Sequence, residues 1–373
     1  MGAGTVTLFL CGDVMLGRGV DQILPHPGDP ALREESVRDA RGYVELAEAV
    51  NGPIPRPVPF PWPWGRALEV LEEAAPDVRI VNLETSVTRS GAFAPGKAVH
   101  YRMCPANVPA LAAARPDVCV LANNHVLDFG RPGLRETLEV LAGAGLGTAG
   151  AGRDDGAAYA PAVVPVAGGR VLVFALGMMS SGIPPGWAAT EGRSGVAFLA
   201  EPSPAAAEAV VRRIRRTKRP GDVAVVSVHW GSNWGHHVPR GQIDFAHALV
   251  DGGADVVHGH SSHHPRPVEM YRGRPVLYGC GDFVDDYEGI TGYEEYRDEL
   301  RLACLLSVGA DTGRTAALRM VPLRARRMRL EAAAPEEREW LRETLDRVSD
   351  ADIALDADGA LTVTCDEPAT PAP

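Results

Sequence analysis

The sequence predicts an α/β fold, and three features carry that prediction. Short runs rich in Val, Ile and Leu alternate with longer segments of helical periodicity. Several of these runs are apolar throughout, as strands covered on both faces are. Five of them end in polar clusters of Asp, Asn, Glu and His, at the strand ends where open α/β sheets carry their sites.

Along the chain, strands are expected at 6–15, 78–85, 118–123, 171–177, 223–229, 255–259 and 275–279. Helices are expected at 64–75, 105–114, 131–144, 204–218 and 241–251. From 53 to 63 every second residue is proline, and the segment closes Phe60-Pro61-Trp62-Pro63-Trp64. Proline offers no N–H to a ladder, so this stretch reads as an extended, unpaired loop. Beyond Leu300 come two more strands (303–308 and 316–321), a charged helix (335–350), a short strand (361–364) and a Pro-rich tail. The expected division is a metal-dependent catalytic domain over 1–304 and a small β/α extension with a disordered tail over 305–373.

Composition excludes several functions. A chain of 373 residues, 45% hydrophobic and 23% charged, is ordinary globular material. The net charge is −11 and no Lys/Arg block could track phosphates, so nucleic acid is not an expected partner. The apolar residues 6–10 are interrupted by Gly12-Asp13, far short of the roughly 18 apolar residues of a membrane span. Six scattered cysteines with no Cys-x-x-Cys pair suit reduced thiols. The expectation is a cytoplasmic protein without membrane contact.

Eight of the 11 histidines fall between His229 and His264. The strand-end clusters read Gly12-Asp13, Asn82-Leu83-Glu84, Asn123-Asn124-His125-x-x-Asp128, His229-Trp230-Gly231 and Gly259-His260-x-x-His263. One such Asp or His is ordinarily a helix cap or a hydrogen-bonded core residue. Five at five strand ends point to a divalent metal. Asp13, Glu84 and Asn124 offer hard oxygens and His229 and His260 imidazole nitrogens, a mixture that favours Ca²⁺ or Mn²⁺ and leaves Zn²⁺ and Fe²⁺ open. Trp62, Trp64, Trp187, Trp230 and Trp234 flank these clusters and suggest an apolar pocket, with the proline loop as wall or lid. Arg18, Arg240 and Arg266 are candidate receivers of a substrate carboxylate. Cys11 and Cys280 read as small buried residues.

The motifs Gly-Asp-Val-Met-Leu-Gly-Arg, Asn-Leu-Glu, Ala-Asn-Asn-His-x-x-Asp-x-Gly, His-Trp-Gly, Gly-His-x-x-His and Val-Glu-x-Tyr-x-Gly-x-Pro-Val-x-Tyr occur in that order between about Thr7 and Phe283. This set resembles the CapA-like capsule-synthesis (poly-γ-glutamate) family of the calcineurin-like metallophosphatase superfamily. The resemblance implies a four-layer α/β/β/α sandwich with a metal centre between its two sheets. It implies that Asp13, Glu84, Asn124, His229, His260 and His263 occupy metal-centre positions. His125 takes the position of the catalytic histidine, oriented by Asp128. Three departures stand out. The usual Asp-x-His is Asp13-Val14-Met15, Asn-His-Asp becomes Asn124-His125-Val126, and Tyr-Ser-Leu-Gly-Asn-Phe becomes Tyr278-Gly279-Cys280-Gly281-Asp282-Phe283. The first removes one ligand of a two-metal phosphoesterase, which needs both ions to clamp attacking and leaving oxygens.

A member without an evident anchor also resembles tailoring enzymes of peptide natural products, among them lasso-peptide epimerases. The leading expectation is a metal-dependent epimerase that inverts a Cα centre of a precursor peptide. Two His/carboxylate pairs, His125 with Asp128 and His260 with Asp13, would supply acid and base, and Trp62, Trp64, Trp230, Trp234 and Arg18 would bind the peptide. The alternatives are a metallophosphoesterase or other hydrolase, and an accessory component of poly-γ-glutamate assembly.

Overall fold

A computed structural model describes residues 4–364. Strand alternation sorts the apolar side chains into three layers. In the strands Thr5–Val14 and Val78–Leu83, Phe9, Cys11, Val81 and Leu83 face one way, against the helices Arg41–Asn51, Arg66–Ala74 and Gly130–Gly143. Leu8, Leu10, Val78 and Ile80 face the other way and meet Val171, Val173, Val223 and Val225 of a second sheet. That sheet turns Leu172, Phe174, Val226 and Val228 outward onto Val210, Ile214, Phe245 and Leu249 of the helices Pro204–Thr217 and Arg240–Asp251. Three apolar layers separate four layers of structure, so the chain is the α/β/β/α sandwich that the resemblance implies. Each fully buried Leu, Val or Phe contributes about 1.5–3 kcal/mol of transfer free energy.

The first sheet runs, in spatial order, Ile353–Leu355, Leu361–Val363, Thr315–Ala325, Leu300–Gly309, Thr5–Val14, Val78–Leu83, Val118–Val120 and Gly147–Ala149. The strand Asp282–Val284 pairs in parallel with the end of Thr5–Val14. The second sheet runs Phe198–Leu199, Gly169–Met178, Val223–His229, Val256–His260, Arg274–Leu277 and Val268–Tyr271. Residue 304 lies inside the strand Leu300–Gly309, which pairs antiparallel with Thr5–Val14 over Thr5–Leu10. The strands expected in a C-terminal extension therefore continue the first sheet. Most of the expected tail lies outside the described residues.

Local sequence explains the element ends. The helix Pro204–Thr217 starts with Ser203 accepting from the Ala206 N–H, has Pro204 in its first turn, and ends with Arg215 and Arg216. The expected helix at 105–114 is instead a 3₁₀ turn, Pro105–Asn107, followed by Val108–Ala112. The proline segment is unpaired to Val58 and then tightens into the 3₁₀ turn Trp62–Trp64. No described helix is long and apolar enough to cross a membrane.

Candidate metal centre and active-site cavity

Parallel strands in register bring the clusters to one edge of the sandwich. Asp13 lies opposite Asn82 on one side and Asp282 on the other, and His229 lies opposite His260. Gly12 makes the first alignment possible: a Cβ there would sit 1.6 Å from the Gly281 carbonyl oxygen. With that space free, the Asp13 N–H donates to the same carbonyl at 3.1 Å.

Ligand atoms of Asp13, His229 and His260 lie within 4.8 Å of one another, and all three residues are buried. Asn82 Nδ2 donates to Asp13 Oδ1 at 2.6 Å. The Ser261 N–H reaches Asp13 Oδ2 at 3.2 Å. His229 Nε2 stands 2.8 Å from Asn124 Oδ1 and 3.6 Å from Glu84 Oε1. Burial pushes the Asp13 carboxyl up to about 7. Burial and then the Asp13 charge hold Glu84 well above the usual range. Burial also holds His229 and His260 in the neutral form.

Proton positions follow from the hydrogen-bond network. The Cys11 carbonyl can only accept, so His258 Nε2, 2.9 Å away, carries the proton. Ser227 Oγ lies 3.1 Å from the bare His258 Nδ1 and donates to it, so it accepts from His260 Nε2 at 2.9 Å. The His260 Nδ1 lone pair then faces His229 Nδ1 at 2.7 Å. Asn124 Oδ1 takes the proton of His229 Nε2, so two bare nitrogens face each other, which is repulsive without a cation. Glu84 Oε2 is buried without a hydrogen-bond partner. Paired carboxylates, facing lone pairs and an orphaned oxygen fit one divalent cation that Asp13, His229 and His260 would hold, with Glu84 and Asn124 beside it at His229 Nε2. Met15, where a second-metal histidine would stand, is buried, and its Sδ faces the Tyr287 hydroxyl at 3.7 Å.

Beside this centre opens a cavity of about 440 Å³ whose lining includes Glu84, Asn124, His125 and His263. His125 Nδ1 lies 2.6 Å from Asp128 Oδ2 and 3.0 Å from Lys97 Nζ; the shorter contact, to an acceptor, takes the Nδ1 proton and turns Nε2 toward Glu84 Oε1 at 3.7 Å. Burial, then the Lys97 charge, holds His125 well below its ordinary pKa. Lys97 itself is bound by Asp128 and the Asn124 carbonyl. The second imidazole is His263, whose Nδ1 lies 3.1 Å from both oxygens of Asp282. Burial opposes charge on His263, but Asp282 overrides it and raises the pKa.

The two expected His/carboxylate pairs differ in geometry. His125 and Asp128 form one, but His260 stands 3.9 Å from Asp13 and is spent on Ser227 and His229. His263, expected at the metal centre, stands outside the Asp13–His229–His260 group and meets Asp282 instead. The tryptophans also separate. Trp234 lines the cavity, stacked on Tyr293 at 4.0 Å. Trp230 does not: it lies fully buried under Gly259, donates to the Tyr278 carbonyl at 3.0 Å and packs on Phe245. Trp62 and Trp64 belong to the outer apolar layer, bonded to the carbonyls of Arg327 and Ala110, so the proline loop is packing and not a lid. Arg18 lines the cavity but is engaged by Asp286 at 2.9 Å and Glu34 at 3.0 Å, with its guanidinium 3.5 Å from the Tyr43 ring centre. Arg266 is tied to backbone carbonyls of Gly235 and His237, and Arg240 pairs with Asp244 on the surface. Cys11 and Cys280 are buried, as read.

Sequence reasoning missed Lys97, Asp282, Ser227 and His258. The chain has only two lysines, Lys97 and Lys218, against 35 arginines, and each ties down a buried carboxylate. That scarcity was the available signal for Lys97. Asp282 stood in the departure from Tyr-Ser-Leu-Gly-Asn-Phe, where a carboxylate replaces an amide.

Residues 7–287 match the family described as bacterial capsule synthesis protein PGA_cap. A Mycobacterium tuberculosis protein named a probable polyglutamine synthesis accessory protein is 57% identical over 346 residues, covering 92% of this chain and 91% of its own. The PGA biosynthesis protein CapA of Bacillus subtilis is 29% identical over 289 residues, 77% of this chain and 64% of that protein. The capsule biosynthesis protein CapA of Bacillus anthracis is 26% identical over 322 residues, 85% and 67% of the two chains. With the motifs in order, the sandwich in place and three quarters of the chain matched, this protein belongs to the PGA_cap capsule-synthesis family.

Proposed function

We propose that the chain is a metal-dependent enzyme of capsule-type polymer synthesis that acts on an amide-linked chain of glutamate or glutamine. The observation that carries this reading is the meeting of two imidazole–carboxylate pairs, His125–Asp128 and His263–Asp282, in one cavity beside the Asp13–His229–His260 cluster. The relatives' names supply the polymer, which replaces the lasso-type precursor as the proposed substrate.

Two imidazoles on one cavity serve proton transfer on two sides of a substrate atom, and inversion of a Cα centre is the reaction that uses both. His125 Nε2, bare because Nδ1–H is held by Asp128, takes the Cα proton. His263, kept protonated by Asp282, delivers one to the other face. A divalent cation held by Asp13, His229 and His260 would supply positive charge for the negative charge that develops on the carbonyl oxygen. A second reading, hydrolysis of an amide of the same polymer, draws on the carboxylate-rich cluster that would activate water. Incubation of glutamyl oligomers in D₂O separates the two. Deuterium uptake at unchanged length, abolished by a chelator, supports inversion. Shortened chains support hydrolysis, and release of phosphate from simple esters without either change would refute both.

A further inference from the structure

We infer that the cavity selects an uncharged, amide-bearing chain over a polyanionic one, an inference that rests on the glutamyl-polymer reading for the identity of the chain. The cations that line the cavity are already matched. Arg18 is held by Asp286 and Glu34, Lys97 by Asp128, and His263 by Asp282. A divalent ion at the metal centre is matched in turn by Asp13 and Glu84. Asp298 remains: it lines the cavity, is half-buried, and has no ion-pair partner among the described residues, the nearby Arg301 guanidinium being taken by Asp285. Three cationic side chains and one divalent ion thus face seven carboxylates.

An incoming carboxylate would leave water for a cavity that has no cation to spare for it and an acid already unpaired. Burying a charge without a partner is costly, and like charges brought together at a recognition surface cost several kcal/mol. The rest of the lining suits a neutral chain. Tyr43, Tyr101, Trp234, Tyr287 and Tyr293 supply ring faces and phenolic groups for methylenes and amides. A glutaminyl side chain meets both requirements, whereas a glutamyl carboxylate meets only the first.

The test uses the full chain with two separate readouts. Glutamine and glutamate oligomers of equal length and the same linkage are titrated by calorimetry. The glutamine oligomer binds at least about tenfold more tightly, and Asp298→Asn narrows that ratio by strengthening the glutamate oligomer. Equal or tighter binding of the glutamate oligomer overturns the inference. Independently, caesium and iodide are compared as quenchers of Trp234, taken as the difference between wild type and Trp234→Phe. With each ion scaled to its quenching of free N-acetyltryptophanamide, caesium is the more effective if the cavity carries excess negative charge, and a higher scaled value for iodide overturns the inference without reference to any polymer. If neither oligomer binds while caesium wins, the polymer reading fails and the charge selectivity stands.

Discussion

Ser227 Oγ and His260 Nε2 lie 2.9 Å apart, and the direction of that hydrogen bond is set three groups away, at the Cys11 carbonyl. Because each group in the series has one proton to place, His260 has no freedom over which nitrogen is bare. Ser227→Ala removes the acceptor and releases the ring to either tautomer. Divalent-ion affinity measured by calorimetry falls about 10–100-fold, the usual cost of deleting an outer partner of a metal ligand, while Ser227→Thr restores it. Unchanged affinity in Ser227→Ala would show that the ring is oriented by other contacts.

His125→Gln removes the base and leaves the metal ligands in place. Turnover drops about 10²–10⁴-fold, the range for loss of a general acid–base group, with ion binding intact. Asp282→Asn restores the amide of the family pattern and takes away the charge that keeps His263 protonated. It lowers turnover at neutral pH and moves the fall in rate with rising pH to lower pH.

Trp230→Phe and Trp234→Ala should behave oppositely. Trp230 is core, so its loss lowers stability by about 1–3 kcal/mol and leaves KM unchanged. Trp234 lines the cavity, so its loss raises KM with little change in the unfolding midpoint. Equal effects on KM would contradict the division made above.

Gly12→Ala forces a methyl against the Gly281 carbonyl. Relief requires the strands Thr5–Val14 and Asp282–Val284 to part, at a cost of about 2–4 kcal/mol. Urea denaturation measures it, and a lower ion affinity accompanies it because Asp13 moves with the strand.

Acid sensitivity has an identifiable contributor in His264. Its Nε2 accepts the Gly235 N–H at 3.0 Å and its Nδ1 donates to the Pro265 carbonyl, so a second proton has no place. Burial, then the nearby His236, lowers its pKa to about 3 from 6.5. Between those values the unfolded chain binds the extra proton and the folded chain does not. The stabilisation is complete above pH 6.5 and is lost as pH falls toward 3, on the order of 5 kcal/mol across the window. His264→Gln flattens that part of the stability profile; an unchanged slope would assign the proton uptake elsewhere.

The fold was legible where apolar runs are long. The strand expected at 223–229 is found with those bounds, and the helix expected at 204–218 ends one residue earlier. The helix Arg41–Asn51 escaped notice because it buries only Tyr43, Val44 and Ala47, a stripe too thin to stand out beside a proline-rich stretch. The meeting of Asp13, His229 and His260 was legible because strand ends converge whatever the loops do. The partners of the imidazoles were not, because Lys97 reaches Asp128 from an irregular segment and Asp282 reaches His263 through a parallel pairing that no spacing encodes. Trp230 misled for the opposite reason: its motif position suggested exposure, while the small neighbour Gly259 gave it a slot in the core.

The strand that carries Asp13 lies between Val78–Leu83 and Leu300–Gly309. Its second flank is nearly 300 residues away in sequence, so a growing chain leaves that flank bare until almost all of it has been synthesised. Folding of the first sheet then waits on one long-range antiparallel pairing, a slow class of event with a vulnerable edge in the interval. The metal centre inherits that timing. Asp13 has its own neighbours, Val78–Leu83 and Asp282–Val284, by residue 284, but the strand that carries it stays half-paired until Leu300–Gly309 arrives. Truncation between residues 285 and 308 therefore leaves both neighbours of Asp13 in place and bares the Thr5–Leu10 half of the strand that anchors it.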